Sequence, residues 1–550
     1  MPQGAPTNAE LAAVLLEYAA LLELAGADSY AARAFRRGAD LIAATPVSVA
    51  DLVRSGRARE LRGIGAGIEA RLRELVETGR LTEVEELRRE TSPELAALGR
   101  MLGFGARRGT EIGAALGIHT AAELREAAAA GRLQEVRGIG PRTEASIRAA
   151  LEGKRLEPAR SMRLDQALTL SARIAEALGG IPAGDARRYL DAPTRLAVVV
   201  AARDSDDVAA RFASHPDVVA ILEPGVGMTT EGFPVELHTA VPERLGTVLV
   251  KATGSREYVA SLGPLPDASD EASVFRLLGL PHVPPELREL PAGPVPDDLL
   301  ALDRIRGDLH CHTNASDGRA TVREMAEAAR VLGYEYLAIC DHTRAVRVVQ
   351  GLDADDLRRQ AEEIAAVNAE LAPFRVLRGI ECDIVGDGAL DLPDDILAEL
   401  DWVQLSLHAG QRTPRRELTA RVVHAMQHPA VRCLSHPTGR LIGHRPENAL
   451  DLELTFETAV ATGVALEVNG LPARLDLSGE HVREAIAAGV RIACSTDAHS
   501  ARGLTNMPLS VHTARRGGAT AADVVNTLPV DQLLSARNLR ERGSGRQGSR

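Results

Sequence analysis

Gly307-Asp308-Leu309-His310-Cys311-His312 stands past the middle of a 550-residue chain and is followed at once by Asn314-Ala315-Ser316-Asp317-Gly318. His310 and His312 lie two apart on a strand-like run, so both imidazoles face one side of it. Asp317 follows in the next loop. The same kind of element then recurs as Ile339-Cys340-Asp341-His342-Thr343, Gly379-Ile380-Glu381-Cys382-Asp383, Leu405-Ser406-Leu407-His408, Leu434-Ser435-His436-Pro437 and Ser495-Thr496-Asp497-Ala498-His499. No packing requirement calls for this series. Imidazoles and carboxylates placed at the ends of buried strands build a multi-metal centre. The chemistry natural to such a centre is hydrolysis of a phosphate ester.

Around these elements, residues 304–535 alternate short apolar strands with helices, the pattern of a parallel α/β sheet or barrel. A linker rich in Pro, Asp and Leu precedes them (263–300). Before it, 160–262 reads as an α+β unit, with a helix over Leu164–Leu178 and strands at Leu196–Ala201, Val218–Leu222, Pro234–Leu237 and Thr247–Val250. Residues 8–155 read as helix after helix, with Leu11, Val14, Leu15, Tyr18, Leu21 and Leu22 at helical spacing.

In this helical region a single pattern occurs three times: Leu61-Arg62-Gly63-Ile64-Gly65-Ala66-Gly67, Leu102-Gly103-Phe104-Gly105-Ala106-Arg107 and Val136-Arg137-Gly138-Ile139-Gly140-Pro141-Arg142. The glycines permit a tight turn whose N–H groups, with the next helix's N-terminus, face a phosphate. The candidate contacts are Gly63, Gly65, Gly67, Gly103, Gly105, Arg107, Gly138, Gly140 and Arg142. This resembles the helix-hairpin-helix motif, which implies binding to the DNA backbone without sequence readout. The net charge of −12 gives no general attraction to nucleic acid, so such binding must be local.

The five cysteines form no Cys-x-x-Cys pair and sit on apolar runs, as buried reduced thiols do. No basic-then-apolar leader and no run of membrane-spanning length is present, so a cytosolic protein with no membrane partner is expected.

The order of these regions resembles the bacterial family X DNA polymerases (PolX). The resemblance implies an all-α helix-hairpin-helix region, an α+β polymerase-like palm and thumb, and a C-terminal α/β PHP domain built as a distorted (β/α)7 barrel. Its implied divisions are 1–90 (helical, first hairpin), 91–158 (helical, two hairpins), 159–262 (palm), 263–300 (thumb remnant or linker), 301–540 (PHP) and 541–550 (disordered tail).

Carried over residue by residue, the PHP ligand set is His310, His312, Asp317, His342, Glu381, His408, His436, Asp497 and His499. It implies about three divalent metals per chain, Mn²⁺ or Zn²⁺. Asp341 is expected to orient an imidazole by accepting its other N–H, with helix capping as the alternative. Arg440 is a candidate phosphate clamp, with a surface salt bridge as the alternative.

The palm departs from the family. Its Gly-Ser element reads Gly184-Asp185, followed by the family-like Arg187-Arg188. By offset, Arg195 and Ala197 take the two aspartate positions and Glu236 the third. A guanidinium opposes the two cations that nucleotidyl transfer needs, so a palm kept as a fold without that activity is expected. Residues 1–153 contain no lysine, which closes Schiff-base removal of a 5′-deoxyribose phosphate there.

The expected protein is a metal-dependent 3′→5′ exonuclease of DNA repair. It would act as a monomer on gapped, nicked or 3′-ended DNA and extend to abasic sites. Three alternatives stay open: a DNA polymerase with residual gap filling, a histidinol-phosphatase-like small-molecule phosphatase, and a non-catalytic DNA-binding scaffold.

Overall fold

The computed structural model describes residues 6–535 apart from 26–28, 44, 46, 62, 91, 153–157, 159, 292, 347–348 and 387. The expected tail, 541–550, lies outside the described residues.

The chain opens with two helical clusters. Helices Asn8–Leu24, Ser29–Ala43 and Ala66–Thr78 close over Leu11, Leu15, Phe35, Ile42 and Leu72. Helices Pro93–Met101, Ala106–Leu116, Ala121–Ala129 and Pro141–Glu152 share a second core around Leu95, Ile112, Leu124 and Ile139. In the first and third hairpins an isoleucine, Ile64 or Ile139, is buried in its core while glycines stay outside. A helix begins directly after Gly65, Gly105 and Gly140.

A five-stranded sheet follows, made of β1 (Ile181–Ala183), β2 (Leu196–Ala201), β3 (Val218–Glu223), β4 (Val226–Thr229) and β5 (Pro234–Ala240), in the order β1-β2-β5-β4-β3. β2 and β5 run parallel and the other pairs antiparallel. The helix Leu164–Leu178 packs on it through Leu170, Ile174 and Leu178. The expected strand at Thr247–Val250 is instead within a helix, Leu245–Thr253. Its β-branched residues favour an extended chain, yet the buried positions Gly246, Val250 and Thr253 recur at helical spacing, and tertiary burial decides. Residues beyond it fold onto this unit: Tyr258, Val274, Phe275 and Val283 form one core.

The C-terminal region contains eight strands: β6 (Gly307–Cys311), β7 (Tyr336–Ile339), β8 (Arg375–Val385), β9 (Ala389–Leu390), β10 (Trp402–Ser406), β11 (Val431–Leu434), β12 (Ala465–Asn469) and β13 (Ile492–Ser495). Seven run parallel in the order β13-β12-β11-β10-β8-β7-β6, and β9 is a short antiparallel addition to β8. The barrel nearly closes: just past β13, Asp497 N–H donates to the carbonyl of His310 and His312 N–H to that of Ala498, at 3.0 and 2.8 Å. Strands buried on both faces explain the continuous apolar runs of the sequence.

Candidate metal centre

The barrel brings all nine proposed ligands to the C-terminal ends of its strands. His310 lies near the end of β6, His312 directly follows that strand, and Asp317 comes in the next loop. Glu381 lies within β8, and an isolated bridge joins it to His342, three residues past the end of β7. His408, His436 and Asp497 each come two residues after a strand ends, and His499 two further on. His310 Nε2 and His312 Nε2 approach to 3.2 Å, so both rings point at one place.

Glu381 sits at the middle. Its Oε2 is 2.8 Å from His342 Nδ1 and 3.6 Å from His310 Nε2, and its Oε1 is 2.9 Å from His436 Nε2 and 3.7 Å from His408 Nε2. Asp497 Oδ1 lies 3.1 Å from His312 Nε2, and Asp317 Oδ2 lies 3.2 Å from His499 Nε2. Three groups have ligand atoms close enough to share an ion: His312, Asp317, His342 and His499; His310, His312 and Asp497; His342, Glu381 and His408. His310 and His312 are fully buried, whereas the side chains of Asp317, His408 and His499 are 26, 21 and 35% exposed. The site therefore opens on that side.

Charge explains why this donor set fits cations. Burial pushes Glu381 and Asp497 up, but the surrounding imidazoles more than reverse it and hold both carboxyls well below their ordinary range. In return, burial would lower His342, but Glu381 and Asp317 hold it at about 10. The carboxylates thus draw positive charge into a buried site. Divalent cations bound there would supply that charge and replace the protons on the rings.

Further side chains behind the ligands fix the rings, and most of them give no sign of this role in the sequence. Glu467 Oε1 lies 2.7 Å from His310 Nδ1, the carboxylate–imidazole arrangement that leaves Nε2 free for a metal. Trp402 Nε1–H donates to Gln404 Oε1, which turns the Gln404 amide nitrogen toward Glu467 at 2.7 Å. Asp383 accepts from the backbone N–H of His408 at 3.0 Å. His499 Nδ1–H donates to the carbonyl of Asp497 at 2.8 Å, aiming its Nε2 at Asp317. The one sequence signal for Glu467 is a lone carboxylate inside the apolar run Ala465-Leu466-Glu467-Val468.

Two expected roles are corrected. Among the described residues no imidazole N–H donates to Asp341. It takes the Thr313 N–H and hydroxyl at 2.8 and 2.6 Å, the Ser316 hydroxyl, and the Gln360 amide at 2.7 Å. It therefore ties down the loop that carries Asp317, because its carboxylate faces that loop. Arg440 is not free to clamp a phosphate. Its guanidinium donates to Asp191 at 2.7 Å and to the carbonyls of Arg474 and Leu475.

In the five-stranded sheet, Ala197 is buried opposite Glu236 on β5, and Arg195 pairs with Glu236. His238, working against burial and helped by Arg195, holds Glu236 at about 2. Asp185 accepts from Arg188 at 2.8 Å, and Arg187 pairs with Glu271 at 2.7 Å. In the helical region, Gly65, Gly67, Gly105 and Gly140 have no heavy atom near their Cβ positions, while Gly63, Gly103 and Gly138 adopt positive φ. Arg107 and Arg142 are exposed, and Arg108 donates to the carbonyl of Arg137 at 3.1 Å, joining the second and third hairpins.

Among the described residues no helix is long and apolar enough to cross a membrane. The helix-hairpin-helix domain family matches residues 6–81, and the PHP domain family residues 308–469. A probable phosphatase of Acetivibrio thermocellus is 32% identical over 201 residues, covering 35% of this chain and 78% of that protein. One of Syntrophotalea carbinolica is 31% identical over 166 residues, covering 30% and 64%. The DNA polymerase/3′-5′ exonuclease PolX of Bacillus subtilis is 32% identical over 553 residues, covering 93% of this chain and 96% of that one. A likeness running through helical region, central sheet and barrel alike makes this chain a member of the bacterial PolX family.

Proposed function

We propose that the chain is a metal-dependent 3′→5′ exonuclease that trims DNA ends in repair, extends to abasic sites, and has no polymerase activity. The observation that carries this reading is the convergence of six imidazoles and three carboxylates around Glu381. The three groups named above would hold three divalent cations, Mn²⁺ or Zn²⁺, with His436 joining beside Glu381. Bound there, the cations would supply Lewis acidity, acidifying a water as nucleophile and offsetting charge on the phosphoryl oxygens.

The chain's own side chains do the positioning. Glu467 and Gln404 lock the His310 ring, Asp383 holds the His408 backbone, and Asp341 fixes the loop of Asp317. The exposed edge formed by Asp317, His408 and His499 is where a phosphodiester enters. The three hairpins would grip the DNA backbone without reading sequence, through N–H groups at helix starts and the exposed Arg107 and Arg142. The Arg195–Glu236 pair supports an inactive palm, since a guanidinium occupies the place of a metal-binding carboxylate.

The probable phosphatases that resemble the barrel favour a second reading, hydrolysis of a small phosphate ester. Full-length protein with Mn²⁺ and a 5′-labelled primer on a template separates the readings. Shortening of the primer, lost in His310→Ala and Asp497→Ala, supports the nuclease. Lengthening that requires dNTPs supports a polymerase. An unchanged primer together with phosphate release from histidinol phosphate supports the phosphatase.

A further inference from the structure

Beside the metal centre the loops after β10, β11 and β12 carry Arg412, Arg445 and Arg474, and among the described residues none of the three guanidiniums has a carboxylate within hydrogen-bond distance. Arg474 follows β12. Its side chain is 16% exposed, yet Nε and Nη1 are buried without a hydrogen-bond partner. Nε lies 3.6 Å from Asp497 Oδ2, close enough for attraction and too far for a hydrogen bond. A buried guanidinium with two idle donors is a costly arrangement that a two-oxygen anion relieves.

The second arginine is Arg445, which donates Nε–H to the carbonyl of Gly439 at 2.8 Å. Burial, then Arg474, pushes it below its ordinary range; Arg412 adds to this and Asp476 opposes it. Arg445 therefore feels the charge of both Arg474 and Arg412. Among the described residues no carboxylate pairs with Arg445 or with the exposed Arg412.

The loops are set rigidly. Gly439, at φ 59°, packs so tightly on Gln411 that a Cβ there would collide with its side-chain amide. Arg440 holds the carbonyls of Arg474 and Leu475, and Leu475 itself stands at φ 46° with its side chain fully buried.

We propose that Arg474, Arg445 and Arg412 form a phosphate track that leads a DNA strand into the metal centre. Arg474 takes the phosphate nearest Asp497, and Arg445 and Arg412 take phosphates further along the same strand. This rests on the nuclease reading and names its substrate-strand path. A small phosphate ester needs one such contact, whereas a row of guanidiniums suits a polyanion.

The test is exonuclease kinetics of the full-length protein with Mn²⁺ on a labelled single-stranded oligonucleotide over a series of salt concentrations. Arg412→Glu/Arg445→Glu is expected to raise KM about tenfold and flatten the slope of log kcat/KM against log salt by about 1.4, two phosphates at ~0.7 each. Arg412→Lys/Arg445→Lys retains most of the slope. Arg412→Gln/Arg445→Gln, which removes both charges without reversing them, is expected to flatten the slope by the same ~1.4 with a smaller rise in KM, and keeps the test readable should charge reversal disturb folding. Wild-type protein that cuts DNA, with KM and slope unchanged in the glutamate and glutamine pairs, overturns the track alone. Wild-type protein that hydrolyses bis(p-nitrophenyl) phosphate but no oligonucleotide overturns the DNA reading and the track with it.

Discussion

Arg440 of the barrel donates to Asp191 of the central α+β unit at 2.7 Å, and Arg516 donates to the other oxygen of the same carboxylate at 2.5 Å. One acid thus joins two nearly buried cations, whose side chains are 13 and 7% exposed, across the boundary between the two sheets. Beside it Tyr189, at φ 55°, stacks on His512 with ring centres 3.8 Å apart. Removing the acid leaves Arg516 without its carboxylate and opposed to Arg440, which keeps only the more distant Glu447 at 3.8 Å. Asp191→Ala should lower the stability of the full chain by about 3 kcal/mol, read by chemical denaturation. A loss under about 1 kcal/mol would mean the contact is merely incidental.

Glu467 is the main test of how the rings are held. Replacing it with Gln keeps its shape and removes the charge facing His310 Nδ1. Metal affinity should fall about 10–100-fold while the fold is retained. Calorimetric titration of chelator-stripped protein with Mn²⁺ measures this. Unaltered affinity would assign Glu467 to packing alone.

Because the site concentrates carboxylates in a buried space, cations that bind it should stabilise the folded chain. Adding Mn²⁺ at about a hundred times its Kd should contribute about 2.7 kcal/mol, seen as a higher Tm. Glu381→Gln removes the carboxylate shared by five rings and should abolish most of that rise. An equal rise in the variant would place the stabilising ion elsewhere.

Glu286 supplies a pH dependence away from the metal centre. Burial alone would raise it, but His512 at 2.5 Å and Arg515 at 2.7 Å more than reverse this and hold it at about 2. A depressed carboxyl contributes stability that is fully present above its unfolded value near 4.5 and is lost as pH falls toward about 2. The contribution is about 3 kcal/mol. Glu286→Gln should therefore cost most near neutrality and progressively less below about pH 4.5. Denaturation curves of both proteins across that range check it, and a cost independent of pH would contradict the assignment.

Much of the centre is legible in the chain because its residues stand at strand ends, where an isolated His, Asp or Glu breaks an apolar run. Glu467 and Gln404 are not, because each acts through another side chain, on His310, and such a partnership leaves no local pattern. Asp341 and Arg440 stand out by position beside ligands, yet their partners, Thr313 and Asp191, are set by how loops and units meet. Arg474 carries no local signal, since an arginine in a loop ordinarily reaches solvent. The helix Leu245–Thr253 reads as a strand from its β-branched residues, where burial on one face matters more.

Anomalous scattering from crystals grown with Mn²⁺ shows most directly whether these nine side chains hold cations together. The predicted result is separate peaks at the three groups built on Asp317, Asp497 and Glu381, with the peak beside His408 weakened most in Glu381→Gln. An ordered barrel without anomalous peaks among these residues, at saturating Mn²⁺, would contradict it.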